Sequence, residues 1–229
     1  MNKKLATTAL LLSTLTLAAI SKPVTKDVYL LDGVEPAAMT DLLSRVANLN
    51  FYERANVVIY SPGGLSNLGE LGFVKLRAAG VDTEVMHGAY SAAGMLFMAG
   101  RNRVMHERAV VHFHEPRIMI PTPFGTMVIT MTDLQEFLAN DSLPEDSPSH
   151  AMEELALSFL RGAPREKLEE VVSSMESTVE MYKNILDKEL GQGMGDKLII
   201  PNTDVYVQSK EAYKMGIATR IIHDDQEPR

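Results

Sequence analysis

Val57-Val58-Ile59-Tyr60-Ser61-Pro62-Gly63-Gly64 is an apolar run that stops at a Pro-Gly-Gly turn. A continuous run of this kind is the pattern of a strand buried on both faces of a parallel sheet, and the turn marks its carboxyl end. Upstream, Val28-Tyr29-Leu30-Leu31 is a short β-type run, and Pro36 opens a helical stretch with Met39, Leu42, Leu43 and Val46 at helical spacing. Downstream, Leu68, Leu71, Val74 and Leu76 support a helix stopped near Gly80, and Thr83-Glu84-Val85-Met86 is another strand candidate. Ala92 to Ala99 is small and apolar, as in a tightly packed buried helix, and Arg108 to His114 includes a β-branched run. This alternation predicts an α/β layered fold of repeated β-α units with a mostly parallel sheet.

The pattern changes after Pro116. Arg117 to Thr130 carries Pro, Gly and β-branched residues and reads as a hairpin, and Asn140 to His150 reads as a polar loop. Pro164 to Leu190 is a long helix with an apolar stripe of Leu168, Val171, Val172, Met175, Val179, Tyr182, Ile185 and Leu186. That stripe suits plain core at least as well as a partner surface. Asp204 to Val207 reads as a strand, Lys210 to Met215 as a short helix ended by Gly216, and Ile217 to Ile222 as a last strand.

The 229 residues suit one domain. Apolar residues make up 45% and charged residues 23%, an ordinary globular balance. With 22 basic against 30 acidic residues, the net charge of −8 argues against a phosphate-tracking nucleic-acid binder or an anionic-membrane binder. The chain has no cysteine, which excludes disulfides, cysteine nucleophiles, thiolate zinc sites and iron–sulfur clusters. Residues 1–21 read as a secretory signal: Lys3 and Lys4 precede an apolar stretch from Leu5 to Ile20, and Ala19-Ile20-Ser21 offers small residues for cleavage. An uncleaved anchor is the alternative. The expectation is export, to a bacterial periplasm, of a single domain over 22–229 carrying an insertion at about 117–160.

Two glycine-containing turns follow predicted strands. The first is Ser61-Pro62-Gly63-Gly64, whose glycines let backbone N–H groups face a ligand without Cβ interference. The second is Gly88-Ala89-Tyr90-Ser91-Ala92-Ala93-Gly94. Ser91 stands where a strand turns into a helix, which exposes a serine at the sheet's edge where developing negative charge is favoured. The plainer possibility is that Ser91 is a helix N-cap. His112 and His114 lie two apart and share one face of a strand. They also invite a metal reading, which needs a third ligand from His87, His106 or a carboxylate.

Four segments in one order carry a resemblance: Val58 to Gly64, Gly88 to Gly94, His114-Glu115-Pro116, and Asp204 ahead of Ser209-Lys210-Glu211-Ala212 and Gly216. Together they resemble the proteolytic subunit of the Clp protease, a serine peptidase family of the Clp/crotonase fold, over residues 28–116 and 165–223. The resemblance implies that Ser91 is the nucleophile, His114 the general base and Asp204 the carboxylate that orients it. It also implies that the amides of Gly64 and Ala92 form the oxyanion hole. His112 lies on the same face and is the other candidate base. The chemistry fits these residue types. A serine hydroxyl needs a base within hydrogen-bond reach, an imidazole titrates near working pH, and a carboxylate fixes its tautomer.

The resemblance further implies a long handle helix at 165–190, a homo-oligomer that in the family is a ring, and a peptide or unfolded-protein substrate. No cofactor is needed. A Ser–Lys dyad is disfavoured because no lysine occurs between Lys75 and Lys167. Acyl-CoA chemistry would use the amides but has no need of Ser91, His114 and Asp204 together. Three departures stand out. The insertion alters the groove or its cover, export argues against an ATPase partner, and Tyr90 stands where the family has a small residue. The alternatives are an inactive scaffold of the same fold and a His-x-His metal-dependent hydrolase.

Overall fold

A computed structural model describes residues 23–223; the segment 1–21 read as a signal lies outside the described residues. The first half alternates as the apolar runs predict. β1 (Val24–Leu30), α1 (Pro36–Ala47), β2 (Glu53–Ser61), α2 (Ser66–Ala79), β3 (Asp82–Tyr90) and α3 (Ala92–Met98) are followed by β4 (Arg103–His106) and β5 (Val110–Phe113). The insertion comprises β6 (Arg117–Thr122), β7 (Gly125–Thr130), α4 (Met131–Asn140) and α5 (Glu153–Gly162). The chain returns through α6 (Arg165–Leu190), α7 (Met194–Leu198), β8 (Val205–Gln208), α8 (Ser209–Lys214) and β9 (Arg220–Ile222). The protein is therefore α/β with a mostly parallel sheet. Among the described residues no helix is long and apolar enough to cross a membrane.

The sheet runs β1-β2-β3-β4-β9, all parallel. At its carboxyl end β3 leaves β4 and pairs with β5 through Gly88↔Val110, Ala89↔Val111 and Tyr90↔His112. β8 then adds antiparallel to β5, with His112 opposite Tyr206. This fork delivers both histidines and the segment after Asp204 to the end of β3.

Alternate residues explain the packing. Val28, Leu30, Val57, Ile59, Thr83 and Val85 are buried and share one face, where they join the core with Met39, Leu42, Phe73, Leu76 and all of α3. The opposite face is only partly covered. Val58 is buried, but Tyr29, Tyr60 and Met86 on three neighbouring strands are exposed. The expected two-sided burial of β2 thus fails at Tyr60, which is half exposed. Asn56 bridges this face by donating to Asp27 (2.9 Å) and Glu84 (3.0 Å), and Glu84 in turn meets His106 (2.8 Å).

The predicted hairpin forms as β6 and β7, paired from Arg117↔Thr130 to Thr122↔Gly125. α4 and α5 were not legible as elements in the pattern. α4 starts at a reciprocal cap: Thr130 Oγ1 accepts the Asp133 N–H and Asp133 accepts the Thr130 N–H. A second core of Met127, Ile129, Leu134, Ala156 and Leu160 closes on Leu168, Val172 and Met175 of α6. Further along the same helix, Tyr182 and Leu186 enter the main core. The stripe on α6 is accordingly core, shared between two clusters.

Candidate active site

One residue, Ser91, makes the turn between β3 and α3. Its backbone sits at φ 56° and ψ −127°, a region that an L side chain rarely occupies and that costs about 1–3 kcal/mol. The turn is held by Ser91 N–H donating to the His112 carbonyl (3.0 Å) and Gly94 N–H donating to the Ser91 carbonyl (2.9 Å). Ser91 occupies the N-cap position, yet its hydroxyl accepts no capping hydrogen bond. The plain N-cap role is therefore not the one it plays. A partly exposed serine on a strained strand-to-helix turn is the arrangement in which an Oγ is presented to a substrate.

The Gly63-Gly64 turn packs against this serine. Gly63 has φ 91°, and a Cβ there would stand 2.6 Å from Ser91 Cβ and 2.5 Å from the Tyr90 carbonyl. Only glycine admits this approach. It also keeps the space before the Ala92 N–H open, since that Cβ would lie 3.3 Å from Ala92 N. The turn is set by Gly63 N–H donating to the buried Ser61 Oγ (3.2 Å). Val34 N–H donates to the Gly63 carbonyl (2.7 Å), and Leu65 N–H donates to the Val34 carbonyl (2.9 Å). In such a parallel bridge the middle residue's own groups point the other way. The Gly64 N–H thus faces away from Val34, and Ala92, the first residue of α3, has an N–H with no intrahelical acceptor.

His112 lies on β5 and His114 just beyond its end, with ring centres 4.9 Å apart. The expected Asp204–His114 hydrogen bond is not formed. Asp204 Oδ1 instead meets His112 Nε2 (2.9 Å) and also accepts from Arg117 Nη2 (2.5 Å). Arg117 Nε donates to His114 Nδ1 (2.9 Å), and that nitrogen also lies against the Glu115 carbonyl. The first residue of the inserted hairpin therefore stands between His114 and the carboxylate. His112 is buried, and Tyr206 stacks on it at 4.2 Å with the rings 8° from parallel.

The charges follow from this geometry. Burial pushes the Asp204 carboxyl up, but Arg117 and His112 together outweigh it and leave Asp204 below the usual carboxylate range. Burial pulls His112 down and Arg117 adds to that, against the hydrogen bond and charge of Asp204. Burial and then Arg117 hold His114 down at about 4, against the Glu115 carbonyl. An ionised Asp204 only accepts, so His112 Nε2 carries the proton and its Nδ1 is the basic nitrogen. His114 Nδ1 stands between Arg117 Nε, which only donates, and the Glu115 carbonyl, which only accepts.

Sequence reasoning assigned nothing to Arg117, Glu115 beyond its motif, or Tyr206. No local signal marks Arg117 or Tyr206. The burial of Glu115 is set by its tertiary partners and has no local signal either. Among the described residues no group of three or more His, Asp or Glu side chains is arranged to hold a metal ion. No protein-family model matches this chain, and no curated protein matches its sequence.

Proposed function

We propose that the protein is a serine endopeptidase with a Clp-like fold, hydrolysing peptides or unfolded chains. The observation that carries this reading is Ser91: a strained, uncapped serine at a strand-to-helix turn, packed against Gly63 and followed by the Ala92 amide. Ser91 Oγ attacks the peptide carbonyl carbon while an imidazole takes its proton. The Gly64 and Ala92 N–H groups hold the oxyanion, a contribution worth about 10²–10³ in rate per donor. The proton then passes to the leaving amine, and water, activated by the same imidazole, releases the acyl group from Ser91.

The base is one of two histidines. The motif favours His114, since the Glu-Pro that follows it matches the resemblance. The hydrogen bonding favours His112, whose Nε2 is held by Asp204 and whose Nδ1 is left to accept a proton. The reading further comprises a homo-oligomer built with the long helix α6, and export through the segment 1–21. The other reading is a scaffold that kept the fold and lost the chemistry. It is favoured by His114, the base that the motif picks, having Nδ1 engaged by Arg117 and the Glu115 carbonyl rather than by Asp204.

A serine-directed phosphonate separates these readings. Wild type is expected to be modified at Ser91 and to cleave an unstructured protein, and Ser91→Ala to do neither. Of His112→Asn and His114→Asn, the variant of the true base loses labelling by about 10²–10⁴-fold. A folded wild type that resists the phosphonate and cleaves nothing leaves the scaffold reading standing.

A further inference from the structure

Glu115 is a carboxylate with 2% of its surface exposed, two residues past the end of the strand that carries His112. A buried carboxylate is costly unless hydrogen-bonded, so its partners indicate what it does. Oε1 accepts the backbone N–H of Asn202 (3.0 Å), and Oε2 accepts the Thr132 hydroxyl (3.2 Å). Asn202 lies two residues before Asp204. Its φ of 51° is a left-handed conformation, which needs anchoring in a residue with a side chain. The anchors are specific. Thr130 Oγ1 donates to Asn202 Oδ1 (2.7 Å), and Asn202 Nδ2 donates to Asp146 Oδ1 (3.0 Å).

Asp204 itself is exposed, and among the described residues its side-chain hydrogen-bond partners are His112 and Arg117. Nothing in its own burial holds it in place. On one side its loop is tied to the β5 end by the β8 pairing that begins at Phe113↔Val205, and on the other by the bond that Glu115 makes to Asn202. We propose that Glu115 is a positioning residue, whose carboxylate holds the Asn202–Asp204 loop against β5 and so sets the Asp204–His112 bond. The inference rests on the peptidase reading for its consequence in rate, and on geometry alone for its consequence at His112.

The test uses the full chain with Glu115→Ala, Glu115→Asp and Glu115→Gln. Gln keeps an acceptor for the Asn202 N–H at the same reach; Asp withdraws it by one methylene; Ala removes it. A misplacement of about 1 Å at such a site costs about 10²-fold. Ala and Asp are therefore expected to slow phosphonate labelling of Ser91 by about that factor, and Gln to restore it. Asp204 raises the His112 titration, so losing its support moves the imidazole's titration, followed by NMR, to lower pH. The acid limb of the labelling rate moves with it if His112 is the base. Asp serves if Ala fails to fold. A folded Ala or Asp variant with an unchanged His112 titration overturns the inference. A wild type that is never labelled overturns the peptidase reading instead, and the titration result still stands or falls by itself.

Discussion

Ser91 holds its backbone where glycine would be at ease, and that conflict makes a separable prediction. Ser91→Gly relieves a conformation that costs about 1–3 kcal/mol, so it is expected to raise stability by about 1 kcal/mol while abolishing labelling and cleavage. Ser91→Ala keeps the strain and is not expected to share the gain. Denaturant melts of the two variants against wild type check this; equal midpoints would show that the turn is unstrained. Stability and function would then trade at a single atom group, as they do where a site is held against local preference. The serine, both glycine turns and the pair of histidines were legible as chemistry because they sit at predicted strand ends. The partner of Asp204 was not. His112 lies on β5 and His114 just past its end, and the choice between them lies with Arg117, three residues beyond His114, and with the distant Asp204 that it meets.

Between elements, the packing of α2 against α3 decides where Ser91 stands. Gly69 lies inside α2, where replacement by alanine would ordinarily gain about 1 kcal/mol of helix propensity. A Cβ on Gly69, however, would stand 2.9 Å from Ala92 Cβ and 3.1 Å from the Tyr182 hydroxyl. That hydroxyl donates to the Ser66 carbonyl (3.2 Å) and ties α6 to the start of α2. Gly69→Ala is therefore expected to cost about 1–3 kcal/mol through overpacking and to slow labelling of Ser91 by moving Ala92. Gly162→Ala is the control. A Cβ there meets nothing within 4 Å, so it is expected to leave labelling intact and stability no lower than wild type. A Gly69→Ala protein as stable and reactive as wild type would mean that α2 and α3 slide apart freely. The helices α1, α2 and α6 were readable from apolar spacing. β4, α4 and α5 were not: β4 is four residues that become a strand only by pairing with β3 and β9, and the other two owe their burial to the inserted cluster.

Across the whole molecule, the buried imidazoles make stability depend on pH. His114 titrates at about 4 in the folded chain and near 6.5 when unfolded. Between those values the unfolded chain binds the extra proton. Stability is full above about 6.5 and is lost as the pH falls toward 4, by up to about 3 kcal/mol. His112 is lowered too and acts in the same sense, whereas Glu115, raised by burial, opposes it just above 4.5. Urea midpoints are expected to drop between pH 7 and pH 5, and His114→Gln to shrink that drop. A wild-type midpoint that does not move would show that the two rings are as solvated as in the unfolded chain.

The alternation of strand and helix, the inserted hairpin and the long helix follow from periodicity alone, because burial on a sheet or helix repeats at a spacing that local sequence records. The exclusion of cysteine chemistry and the place of Ser91 at a turn are equally local. The fork at β3, the second core on α6 and the union of Asp204 with His112 belong to the tertiary structure. They depend on which distant segments meet and on shifts of an ångström at their contact. A run of residues carries its own preference for an edge, a face or a turn. It holds no record of the carboxylate that a distant loop will bring to His112 and to the arginine three residues past His114.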